Sequence, residues 1–196
     1  MSATGDLLVV GLGNPGARYD RTRHNVGADA VGALAARHSG RLRDDRKVSA
    51  ALCDIRLGDR RVHLAVPSTY MNDSGRCVAQ LVRRHPPEDW SDLVLVHDEL
   101  DLQPGELRVK LGGGLAGNNG LRSVVEHLHT QDFARVRIGI GKPPGGSERG
   151  ADWVLSRPHG EEREVLGVAV ELAADALEVI AQDGIDAAMQ RFNARR

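Results

Sequence analysis

Aromatic residues are nearly missing from this chain: two Phe, two Tyr and two Trp make up 3% of 196 residues. So few rings exclude a base-stacking platform of the kind that grips single-stranded RNA on a sheet or barrel. Cysteine is equally scarce. Cys53 and Cys77 stand in apolar surroundings and read as small buried hydrophobes without a disulfide, so the cytoplasm is the default compartment. No apolar run approaches the roughly 20 residues needed to span a bilayer. The N-terminus lacks the basic-then-apolar order of a signal peptide. Net charge is −1, whereas nucleic-acid-binding domains tend to be basic. Positive charge is instead clustered: Arg18, Arg21 and Arg23, then Arg108 and Lys110, then Arg135, Arg137 and Lys142. Any RNA contact is therefore expected to be made to phosphates and sugars.

What is present is ordinary globular composition, 41% hydrophobic and 27% charged. It fits one domain over residues 1–196 with a single core. Periodicity predicts a strand at 6–10 and a helix at about 25–38 with Val26, Ala30, Val31, Leu34 and Ala35 facing the core. Val48–Leu57 and Arg61–Val66 read as a hairpin across Gly58-Asp59-Arg60. Asn72 or Ser74 is placed to cap a helix carrying Val78, Leu81 and Val82. Leu93–Val96 is a short buried strand, and Glu106–Leu111 and Arg135–Ile140 are two more with a helix at about 120–129 between them. Pro143–Gly150 has the composition of a mobile loop. A long helix runs from Gly160 to about Gln182, with Val165, Leu166, Val168, Ala169, Leu172, Ala173, Ala176, Leu177 and Ile180 as its apolar positions. Gly184 ends it, and a short helix follows. The expected fold is α/β: a central twisted mixed sheet flanked by helices.

Four polar segments interrupt this pattern. The first, Gly11-Leu-Gly-Asn-Pro-Gly-Ala-Arg-Tyr-Asp-Arg-Thr-Arg-His24-Asn-Val-Gly27, follows a strand, and ligands of open α/β sheets bind at that strand end. Its G-x-G-x-x-G opening suggests a dinucleotide, but Pro15 and the run from Arg18 to His24 separate the glycines from any helix N-terminus that could hold a pyrophosphate. The others are Pro67-Ser-Thr-Tyr-Met-Asn-Asp-Ser-Gly75, His97-Asp-Glu-Leu-Asp101 and Gly112-Gly-Gly-Leu-Ala-Gly-Asn-Asn-Gly-Leu121.

A base working near neutral pH is most readily made from His, with an ordinary pKa of about 6.5. Of eight histidines, His24 stands in a Gly/Asn-rich loop and His97 precedes a carboxylate. His38, His63, His85, His127, His129 and His159 fall in or beside regular elements with no polar constellation. Asp98, Glu99 and Asp101 are equally able, on chemistry alone, to orient a histidine. Asn14, Asn25, Asn72, Asn118 and Asn119 offer neutral donors and acceptors suited to gripping an amide or a developing oxyanion. His127-x-His129 lacks further ligands, so no metal or cofactor is expected. No G-x-S-x-G elbow supports a serine nucleophile.

The four segments, in this order and with Arg137-Ile-Gly-Ile-Gly141, resemble the bacterial peptidyl-tRNA hydrolases over nearly the whole chain. The resemblance implies an esterase acting on peptidyl-tRNA with water as the nucleophile. It further implies a monomer with no obligatory protein partner and no membrane association. His24 matches the family's base, and Asp98 matches the acid that orients it. Asn14 matches the residue that helps discriminate blocked from unblocked aminoacyl-tRNA. Tyr19, Tyr70, Asn72 and Asn119 match substrate contacts, and Met71 lines the pocket. Lys110 and Arg137 match a clamp for the tRNA 5′-phosphate, on strands placed to project to the same side. One position departs: the family usually carries His where this chain has Asn118. Two rivals follow from the sequence, an RNA-binding relative with reduced or lost catalysis and a nucleotide-binding protein using Gly11–Gly16.

Overall fold

A computed structural model of the protein describes residues 5–146 and 149–194. Among these residues seven strands form one sheet: β1 (Leu7–Gly11), β2 (Arg43–Asp45), β3 (Ala50–Leu57), β4 (Arg60–Pro67), β5 (Leu93–Glu99), β6 (Leu107–Leu111) and β7 (Ala134–Gly139). Their spatial order is β2-β3-β4-β1-β5-β7-β6. The inner pairs β4·β1, β1·β5 and β5·β7 are parallel, while β2·β3, β3·β4 and β6·β7 at the flanks are antiparallel. The sheet is mixed, as expected.

Among the described residues six helices cover it: α1 (Val26–Arg37), α2 (Ser74–Arg84), α3 (Asn119–Leu128), α4 (Gly150–Val154), α5 (Gly160–Asp183) and α6 (Ile185–Asn193). Leu7, Val9, Val94, Val96, Val136 and Ile138 face α1, α5 and α6. Leu8, Val10, Leu93 and Leu95 face α2 and α3 on the other side. Burial on both faces is why β1 and β5 read as unbroken apolar runs rather than alternating ones. The five helix positions expected to face the core in α1 are all buried.

Several boundaries differ from the sequence reading. The buried strand β5 continues past Val96 through His97, Asp98 and Glu99, all buried. Polar residues hid this extension, because their burial depends on partners from other segments. The hairpin turn is two residues long, Leu57 pairing with Arg60. Gly58 takes a φ of 61° there, which glycine reaches without strain. Neither Asn72 nor Ser74 caps α2. A 3-10 turn, Met71–Asp73, runs straight into it, and the Gly75 N–H donates to Ser123 Oγ of α3 instead. Strand β2 and helix α4 are too short for periodicity to show. Gly150 begins α4 rather than ending a loop, and Ser147 and Glu148 of that segment lie outside the described residues.

On α5, Val165 and Val168 are exposed, the latter by 69%, while Leu166, Ala169, Ala173, Ala176, Leu177 and Ile180 are buried. The apolar stripe of α5 is therefore narrower than its sequence. Cys77 is buried, which pushes its thiol up to about 12, whereas Cys53 is only half-buried. Both are free thiols. No helix among the described residues is long and apolar enough to cross a membrane.

Candidate active site

The chain leaves β1 on one side of the sheet and returns as β5 beside it, so the carboxyl ends of both strands open at one crevice. That is the position where open α/β sheets bind ligands. Between Gly11 and α1 the chain makes two 3-10 turns, Ala17–Tyr19 and Arg23–Asn25. Glycines 11 and 13 are packing glycines: a Cβ on Gly11 would run into the Gly27 carbonyl, and one on Gly13 would press on Ala28 and Asn25. Two of the motif's three glycines are thus spent on packing, and a three-residue 3-10 turn rather than a long helix follows Gly16 to receive a pyrophosphate. The nucleotide-binding reading therefore loses its structural basis.

The second 3-10 turn carries His24 to the end of β5. Its Nδ1 lies 2.9 Å from Asp98 Oδ1, with both side chains buried. The other two acids are engaged elsewhere. Glu99 Oε2 accepts from Arg137 at 3.0 and 3.2 Å, and Asp101 pairs with Lys142 at 2.8 Å. Burial disfavours the imidazolium of His24, but the charge and hydrogen bond of Asp98 together outweigh it. The His24 pKa is raised above its ordinary value. With Asp98 accepting at Nδ1, the ring proton sits there and Nε2 is left as the basic nitrogen.

His24 and Asp98 line a cavity of about 220 Å³ together with Asn118, Asn119 and the α4 residues Gly150 and Val154. Asn118 proves to be the N-cap of α3. Its Oδ1 accepts from the Leu121 N–H at 3.1 Å, which turns its Nδ2 toward Asp98 at 3.4 Å. Asn119 is the exposed first residue of that helix. Asn14 is fixed from two sides. Its Oδ1 accepts from the Met71 N–H at 2.8 Å, and Asn25 grips its backbone N–H and C=O at 2.8 and 2.9 Å. Holding Oδ1 in this way aims the Nδ2 donors in one direction. Met71 is buried against Gly120. Tyr19 and the exposed Tyr70 meet edge to face at 6.2 Å, and Asn72 is exposed on the turn after Tyr70.

Lys110 and Arg137 do share a face of the sheet, because Lys110 pairs with Arg135, two residues before Arg137. Arg137 is held by Glu99, a carboxylate only 3% exposed. Two members of the cationic clusters are not surface charges at all. Arg135 is buried, donating to the carbonyls of Gly113 and Gly114 at 2.6 Å. Arg23 is buried against Glu162 and Trp153. His63 also departs from its reading, its ring nitrogens lying 2.8 Å from Asp54 and 3.2 Å from Asp6. Sequence reasoning named Asn25 and Glu99 but not their roles in gripping Asn14 and holding Arg137, and it overlooked the buried role of Arg23 and the α4 wall. The adjacency of Arg23 and Asn25 to His24 in the chain was the one sequence signal for the roles of these two residues.

The arrangement is a buried histidine–carboxylate pair opening on a cavity rimmed by carboxamides. It can deprotonate water. Comparisons with known proteins agree with this chemistry. A family model described as peptidyl-tRNA hydrolase matches residues 8–196. The chain is 46% identical to a peptidyl-tRNA hydrolase of Rhodococcus erythropolis, covering 97% of this chain and 100% of that protein. It is 48% identical to one from Cutibacterium acnes, covering 95% and 97%. It is also similar to the crystal structure of peptidyl-tRNA hydrolase from Acinetobacter baumannii. There the TM-score is 0.89 and the identity 37%, over 97% of this chain and 96% of the other.

Proposed function

This chain belongs to the peptidyl-tRNA hydrolase family; it hydrolyses the ester between a peptide and its tRNA, and we propose that His24 is the base that drives the reaction. The observation carrying the proposal is the buried contact of His24 Nδ1 with Asp98 Oδ1 at 2.9 Å. Asp98 keeps the proton on Nδ1, so Nε2 takes one from water as the water oxygen attacks the ester carbonyl. The tetrahedral oxyanion is met by carboxamide donors, Nδ2 of Asn14 and Nδ2 of Asn118. Each contributes most where charge develops in a site shielded from water. Collapse breaks the bond to the ribose oxygen, and the His24 imidazolium returns its proton to that leaving oxygen. Peptide acid and tRNA with a free terminal hydroxyl result, and the histidine is again neutral.

Asn14 reads the acylated amino group of the substrate, distinguishing it from a free amine. Tyr19, Tyr70, Met71, Asn72 and Asn119 contact the peptide and the tRNA end. Lys110 and Arg137 hold the 5′-phosphate through charge-assisted bonds. The enzyme acts as a monomer in the cytoplasm. A binding-only relative is not favoured, since a base and its orienting acid are already paired. Hydrolysis of an N-blocked against an unblocked aminoacyl-tRNA by the purified protein tests the reading. Rapid cleavage of the blocked substrate alone is expected, with His24→Ala slower by roughly 10²–10⁴-fold. Near-parental turnover in that variant would remove His24 from its role.

A further inference from the structure

One wall of the cavity beside His24 is built from Gly150, Ala151 and Val154 of α4. At five residues, α4 is far too short to be stable by itself, so its place depends on what it is fastened to. That fastening is Arg23. The side chain is 4% exposed. Its Nε and Nη2 donate to the two carboxylate oxygens of Glu162 at 2.8 and 2.6 Å. Nη1 donates to Ser156 Oγ at 2.6 Å, and the guanidinium lies 3.6 Å from the centroid of the Trp153 ring. The Arg23 backbone N–H donates to the Ser156 carbonyl at 3.1 Å. Trp153 in turn donates from Nε1 to the Gly141 carbonyl at 2.9 Å, just past β7.

Trp153 belongs to α4, Ser156 lies just beyond it, and Glu162 is in the first turn of α5. A single side chain, one residue before His24, therefore ties α4 and the start of α5 to the turn that carries the histidine. A buried Arg–Glu pair by itself would be an unremarkable piece of scaffold. Here the fork and the ring stack act on one planar group, so they fix its orientation as well as its position. The group they fix joins the turn that carries His24 to the helix that walls the cavity.

We propose that Arg23 is a positioning residue for hydrolysis, setting the separation between His24 and the α4 wall and so the space in which the ester end of the substrate is held. The inference rests on the hydrolase reading above. It is tested with Arg23→Lys, Ser156→Ala and Glu162→Gln in a Trp90→Phe background, where Trp153 is the sole tryptophan. Lysine keeps the charge but can supply neither the fork nor the planar stack. In folded Arg23→Lys the Trp153 emission should shift, and kcat/KM on an N-blocked aminoacyl-tRNA should fall by about 10- to 100-fold, the scale set by small misplacements of bound groups. The acid limb of the pH profile should stay where the parent has it, because the His24–Asp98 contact is untouched. Ser156→Ala and Glu162→Gln should move both readouts in the same direction by less. They carry the test if Arg23→Lys does not fold.

Parental rates despite shifted emission would overturn the proposal, since α4 would have moved without consequence. A lowered rate with a displaced acid limb and unmoved emission would also overturn it, placing the action of Arg23 on His24 itself. If the parent protein failed to cleave the substrate, the hydrolase reading would fall instead. Unmoved Trp153 emission in a folded variant refutes the fastening whatever the rates.

Discussion

Replacing Asp98 with Asn isolates what the carboxylate does for His24, because the two side chains differ little in shape. Asn can turn its amide toward Nδ1 and donate there. The ring then carries its proton on Nε2 and cannot accept one from water. General-base catalysis contributes about 10²–10⁴-fold, so kcat/KM at pH 8 should fall by that factor, about 3–5 kcal/mol of barrier. A second effect separates this account from simple damage. In the parent, burial lowers the His24 pKa while the Asp98 charge and hydrogen bond raise it, and the net shift is upward. Without the carboxylate only burial remains, so the pKa drops below its ordinary value and the acid limb of the rate profile moves to lower pH.

Stability follows with a definite sign. A histidine whose folded pKa is raised stabilises the protein fully below its unfolded pKa, near 6.5, and loses that contribution as pH rises through the folded pKa. The parent should therefore lead the variant in stability by more at pH 5.5 than at pH 8.5. Initial rates at subsaturating blocked aminoacyl-tRNA between pH 5 and 9, with urea unfolding at both pH extremes, measure all three effects. An acid limb that stays in place, or moves to higher pH, would show that Asp98 does not set the proton balance of His24.

Four other substitutions carry expected outcomes. Asn118→His should fold and hydrolyse equally well or up to about tenfold faster. Losing the cap on the Leu121 N–H should cost it about 1 kcal/mol in urea unfolding, and a large rate loss in the folded variant would contradict this. Lys110→Ala should reduce the magnitude of the salt dependence of tRNA binding by about one unit of slope while sparing a minimal substrate. Arg137→Ala should do the same and also cost about 3 kcal/mol, because Glu99 is left buried and unpaired. An unchanged salt slope in both would dismiss the clamp. Gly27→Ala should destabilise by about 1–3 kcal/mol or more, since its Cβ would enter the Val96 carbonyl oxygen and carbon, and backbone cannot yield as a side chain does. Thermal unfolding matching the parent would refute that packing argument.

The elements were legible wherever burial follows from the chain's own pattern. Leu7–Val10 and the face of α1 from Val26 to Ala35 are apolar at strand and helix periods, and local chemistry suffices to fold and bury them. The extension of β5 over His97, Asp98 and Glu99 was not legible, because polar residues are buried only when partners arrive from elsewhere. Those partners, His24 and Arg137, are 74 and 38 residues away. Val168 shows the converse, an apolar residue on a helical stripe that no neighbouring element covers.

The candidate site divides along the same line. By itself the sequence determined that a histidine and several carboxamides gather in glycine-rich loops, since residue type and spacing are local properties. On chemistry alone it left Asp98, Glu99 and Asp101 equivalent, with only the resemblance favouring Asp98; it grouped Arg23 and Arg135 with the clustered cations, and it could not show that Asn118 caps a helix. Tertiary structure decided all of these. Successive residues of a strand point to opposite faces, so Asp98 meets His24 on one side while Glu99 meets Arg137 on the other. Which acid orients which base, and which cations remain free to meet a phosphate, depends on distances between segments that no single segment encodes.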